Sequence, residues 1–126
     1  MTARHFILLV CTMAGSPAWG ADTIWTAVIA RGFPNDVFTW RLQADSRYRE
    51  DGRDKATGAS IQPTLSGRWT ILGHHMMLRQ EGINYVFDGV VSGDTYQGLL
   101  YLDGKAFARF CAVKGDRPPP DCDVSV

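Results

Sequence analysis

The sequence predicts an all-β domain: a small antiparallel meander of about eight strands, closed as a barrel or folded as a sandwich. Three observations carry this. Apolar and polar residues alternate with period two in run after run. Gly, Asp, Asn and Ser separate the runs at a spacing of roughly ten residues. No stretch shows the apolar period of an amphipathic helix.

Residues 22–31 hold Ile24, Trp25, Val28 and Ile29, and the string GFPND at 32–36 ends this first strand. Residues 37–43 (VFTWRLQ) alternate cleanly, with Phe38, Trp40 and Leu42 on one face and Thr39, Arg41 and Gln43 on the other. Residues 47–50 continue as a short third strand. The polar run DGRDKATG at 51–58 reads as the longest and most exposed loop, with Glu50, Asp51 and Asp54 as solvated carboxylates. Residues 65–72 put Trp69 and Ile71 on one face, and residues 73–75 form a turn. Residues 76–80 return, and Glu81-Gly82 turns again. Residues 83–91 carry Tyr85 and Phe87 opposite Val86 and Asp88. Ser92-Gly93-Asp94 is a tight hairpin. Residues 95–102 place Tyr96, Leu100 and Leu102 together. Asp103-Gly104 predicts a two-residue hairpin, because both residue types tolerate positive φ. Residues 105–113 close the set. Closure into a barrel would remove both exposed sheet edges.

Eight consecutive hairpin-linked strands in a small exported chain resemble the calycin-type barrels, the lipocalin and avidin folds. The resemblance covers residues 22–113 and is one of architecture. Thr23-Ile24 stands before Trp25 where lipocalins open with Gly-x-Trp, and no biotin-site pattern appears. The resemblance therefore implies a barrel and brings no ligand or binding residue with it.

Residues 1–20 read as a signal peptide. Arg4 and His5 form a basic start, FILLVCTMA is a short apolar run, and Ala18-Trp19-Gly20 supplies small residues for cleavage between Gly20 and Ala21. A spanning helix needs ~20 apolar residues, so the expectation is a cleaved leader, a periplasmic or secreted protein, and no membrane span in the mature chain. A transmembrane barrel needs strands of ~9–11 residues with a continuous lipid-facing stripe, and several of these runs are shorter. Residues 21–126 form one domain on this reading, with strands within 22–113 and a Pro-rich tail at 114–126. Cys11 leaves with the leader. Cys111 and Cys122 then form an expected disulfide that staples the tail to the last strand, contributing ~3 kcal/mol in the chain-entropy model.

The chain carries 13 Lys+Arg and 13 Asp+Glu, so no basic excess points to nucleic acid. The glycine-bearing turns contain no phosphate-cradling motif, and no cofactor is implied. His74-His75-Met76-Met77 offers copper- or zinc-type donors, but alternation on a strand sends neighbours to opposite faces, and fewer than three convergent ligands rarely hold a metal. A small hydrolase would need His75 paired with a nucleophile such as Ser66 or Ser92 and with Asp88 or Asp94; none of these lies in a nucleophile-elbow pattern. The aromatics Trp40, Trp69, Tyr85, Phe87 and Tyr96 remain as candidate ligand contacts, set against their use as barrel filling. The expected function is a non-catalytic exported binding module for a small molecule or a periplasmic protein. The alternatives are a periplasmic metal binder using the His-His-Met-Met string and a small hydrolase.

Overall fold

A computed structural model describes residues 22–117 and Pro119. Eight strands follow one another: β1 (Thr23–Ile29), β2 (Asp36–Leu42), β3 (Arg47–Asp54), β4 (Ser60–Leu72), β5 (His75–Gln80), β6 (Tyr85–Ser92), β7 (Thr95–Leu102) and β8 (Lys105–Lys114). Each pairs antiparallel with the next, and β8 pairs back onto β1, with Ala27 opposite Ala112 and Ile29 opposite Phe110. The sheet is therefore a closed meander barrel, not a sandwich. No helix among the described residues is long and apolar enough to cross a membrane.

The period-two pattern sets the inner face. Trp25, Ala27 and Ile29 of β1 point inward, as do Phe38, Trp40 and Leu42 of β2, Met76 and Leu78 of β5, and Ala108, Phe110 and Ala112 of β8; all are buried. A one-residue slip in any strand would turn its whole apolar set outward, so the pattern fixes register wherever one face is buried. Asp103 and Gly104 both adopt positive φ, at 50° and 82°, as the β7–β8 hairpin requires.

One half of the interior is packed solid by rings. Trp40 stands 4.6 Å from Phe87, 5.6 Å from Phe110 and 6.0 Å from Tyr96 between ring centroids, mostly edge to face. Tyr96 also meets Trp25 at 5.7 Å. Its buried hydroxyl reaches the Met76 carbonyl at 3.0 Å and the Phe87 carbonyl at 3.3 Å, which spares it the cost of an unpaired buried hydroxyl.

Three boundaries differ from the sequence expectation. β3 does not stop at residue 50 but runs to Asp54, which shortens the polar 51–58 loop. Pairing with β2 carries it there: Gly52 is opposite Phe38, Arg53 opposite Val37 and Asp54 opposite Asp36. β4 starts at Ser60, earlier than expected, and β8 continues to Lys114. Cys111 is buried on β8; Cys122 and the Gly20–Ala21 junction lie outside the described residues.

Candidate functional site

The other half of the barrel is not filled, and its opening begins with a proline. Proline has no N–H for the sheet ladder. Around Pro63 the β3–β4 pairing slips: Glu50 is opposite Leu65, yet Gly52 is opposite Ile61. Gln62, Pro63 and Thr64 are thus set against the single residue Asp51, to which Thr64 Oγ1 donates at Oδ1 over 3.1 Å. Bulges of this kind bend a strand and recur beside functional sites. A second slip falls between Leu100 and Tyr101 on β7. It leaves Phe107 outside the ladder, with its ring against Gly32 and the Arg31 guanidinium 5.4 Å above it. The β1–β2 loop then brings Phe33 to 5.9 Å from Phe38 and 6.5 Å from Phe107.

The result is a cup of about 150 Å³ at this end of the barrel. Its deep wall is made by Ile29, Phe38, Phe87 and Leu100, all buried; half-buried Phe33, Ile61 and Tyr85 and exposed Pro63 form its rim. Two buried polar residues line it as well, Glu50 of β3 and Gln80 of β5, only 7% and 4% exposed. Asp36 stands half-buried at the rim.

Glu50 is held by a donor from the packed half: Trp40 Nε1 donates to Glu50 Oε1 at 2.8 Å. Burial pushes its carboxyl above the ordinary carboxylate range, Asp51 adds to the rise, and the Trp40 indole and Gln80 amide pull it back only in part. Gln80 Oε1 has no hydrogen-bond partner, and neither does the hydroxyl of Tyr48, which lies beside the Gln80 amide. Burial likewise raises the Tyr48 hydroxyl well above its usual range. These groups form an incompletely satisfied polar network within an apolar wall. Native interiors leave few such groups, and each needs a physical account such as strain, ordered water or a functional role.

The sequence reading of this end needs correction. Glu50 is not a solvated loop carboxylate. It shares the inward face of β3 with Tyr48 and Gly52, and the alternation Tyr48-x-Glu50-x-Gly52 was the available signal. A folded-state acidity weaker than that of the unfolded chain has a definite sign. The stability it contributes is complete below the unfolded carboxylate range and is lost as pH climbs through the raised folded value. Glu50→Gln keeps an acceptor for Trp40 and removes the titration. Its stability relative to the native chain is expected to improve steadily as pH rises across that window, read by urea melts at several pH values. A difference that does not change with pH would contradict the burial argument.

Of the five aromatics singled out from the sequence, Tyr85 and Phe87 line the cup. Trp40 and Tyr96 are fully buried in the ring cluster. Trp69 is half-buried, and its Nε1 donates to the Gln43 carbonyl at 2.9 Å. The cup residues Phe33 and Phe38 were not singled out; Phe33 sits in a loop, where alternation gives no direction. The histidine–methionine string does not converge. Met76 points into the core, Met77 accepts a contact from Arg79 on the outer surface, and exposed His75 pairs through Nε2 with Asp88 Oδ1 across the β5–β6 pair. Among the described residues no three His, Cys, Asp or Glu side chains gather as a metal site.

Comparison with protein-family models, with curated proteins and with solved structures returned no match.

Proposed function

We propose that this protein is a non-catalytic binding module that takes a small molecule into the cup at the open end of its barrel. The observation that carries the reading is the contrast between the two halves of one interior. Small eight-stranded barrels can be filled completely by side chains, and this one is, on the side of Trp40, Tyr96 and Phe110. At the other end the wall is bowed out, and a concave, mostly apolar space is left with a few polar groups in it, which is the general description of a small-ligand site. An apolar cavity of about 150 Å³ takes a molecule of benzene size, and the open rim leaves room for a substituent to project into water.

The leader-like residues 1–20 and the even cysteine count beyond them support an exported, water-facing protein with a Cys111–Cys122 bridge. The outer face agrees with water as its surroundings. Arg47, Arg68 and Arg79 stand side by side on adjacent strands, all exposed, and such residues are costly against lipid.

A titration of isotope-labelled protein with toluene, followed by NMR, tests the cup. The expected result is saturable shifts at Phe33, Phe38, Ile61 and Tyr85, abolished by Ile61→Trp, which places a larger side chain at the rim. Shifts scattered over the surface, or unaffected by Ile61→Trp, would remove the cup from consideration.

A further inference from the structure

The charge lining the cup identifies a class of ligand, on the premise that the cup is the binding site. The chain as a whole is neutral, with as many basic as acidic side chains. The cup is not. Its charged lining residues are Asp36 at the rim and Glu50 deeper in, and among the described residues that form it there is no lysine, arginine or histidine. The same lining carries four aromatic side chains, Phe33, Phe38, Tyr85 and Phe87. Aromatic rings present a negative face, and rings and carboxyl groups lining one pocket favour an organic cation over its neutral isostere. An anion would meet two carboxyl groups in the lining, with Arg31 stacked on Phe107 outside it.

We propose that the cup selects small organic ammonium ions, with Glu50 as the group that receives the cationic head and the rings as the wall for its apolar body.

Two features of the interior agree with this assignment. Gln80 Oε1 is a buried acceptor without a partner, next to a Glu50 carboxyl that the Trp40 indole holds through Oε1. An ammonium group brings N–H donors and no acceptor, so it suits the open Gln80 acceptor and the carboxyl beside it. The Trp40 hydrogen bond also fixes the carboxyl in place before any ligand arrives, which reduces the ordering cost of binding.

The test uses the intact protein and three probes of one size: benzylamine in its ammonium form, toluene, and benzoate. Each is titrated at several pH values running from the ordinary carboxylate range up to mildly alkaline pH, so that the raised Glu50 carboxyl is followed from neutral to charged, with NMR shifts locating the site. The expected result is that benzylammonium binds in the cup about tenfold tighter than toluene, or more, while benzoate does not bind there. In Glu50→Gln the ratio of benzylammonium to toluene affinity is expected to fall toward one. Equal affinities for benzylammonium and toluene in the unmodified protein, or benzoate binding as well as toluene, would overturn the cation assignment and leave the cup itself standing. A preference for benzylammonium that survives Glu50→Gln would overturn the role given to Glu50. If none of the three moves the cup resonances, both the cation assignment and the binding-module reading fall. The comparison of probes on the unmodified protein decides the first point without any variant having to fold.

Discussion

Gly98→Ala is expected to destabilise the barrel by ~3 kcal/mol or more, a large fraction of the total stability expected at this chain length. Gly98 is opposite Gly89 in the β6–β7 ladder. A methyl group on Gly98 would stand 2.1 Å from the Asp88 carbonyl oxygen and 2.5 Å from the Gly89 Cα. Both atoms are backbone, held in the ladder, so neither can rotate away as a side-chain tip would. Relief requires the two strands to separate, which breaks their pairing on an inner face. Overpacking usually costs ~1–3 kcal/mol when side chains can yield, and here they cannot. Gly93→Ala is the control. It lies in the β6–β7 hairpin at φ 61°, with nothing near its added methyl, so only the left-handed backbone is penalised, by ~1–2 kcal/mol. Urea denaturation followed by circular dichroism compares the two. A Gly98→Ala protein that melts within the range of Gly93→Ala would show that the close approach of β6 and β7 is wrong.

Trp40→Ala is expected to be the most damaging change to a side chain, at ~3–5 kcal/mol for the lost ring alone. Trp40 is completely buried, and its ring touches Phe87, Tyr96 and Phe110 in a single cluster. The deletion has a second cost. Glu50 loses the indole donor to its Oε1, and an orphaned buried polar group costs ~1–3 kcal/mol. The two parts are separable. Trp40→Phe keeps most of the ring volume and loses only the donor, so it is expected to fall between the native chain and Trp40→Ala. The midpoint of unfolding in urea gives the order. A loss below about 1 kcal/mol for Trp40→Ala would place the ring at the surface and dissolve the link between the packed half of the barrel and the floor of the cup.

That link explains why some of the site was legible in the sequence and some was not. Phe38, Trp40 and Leu42 could be assigned to one face because direction along a strand is a local property with period two. Phe87 and Tyr96 followed by the same rule, and the hairpin at Asp103-Gly104 could be placed because the backbone conformation of a tight turn is selected by its own two residues. Glu50 was misread because its type argues for solvent and its position argues for the interior. Only the groups that meet it from β2 and β5, Trp40 and Gln80, decide in favour of the interior, and the spacing between them in the chain carries no sign of that meeting. The same limit applies to Phe33, which reaches the cup by way of a loop.

The sequence by itself determined the strand class, the alternation of faces and most of the hairpins, since each depends on residues within a few positions of one another. The tertiary structure decided that the first strand pairs with the last, that the sheet closes as a barrel, and that one end is filled with rings while the other is left open. These outcomes depend on contacts between residues far apart in the chain. A shift in register at Pro63 changes the width of the barrel only because the opposite wall is already fixed, and the burial of a carboxyl is settled by what the closed sheet sets around it.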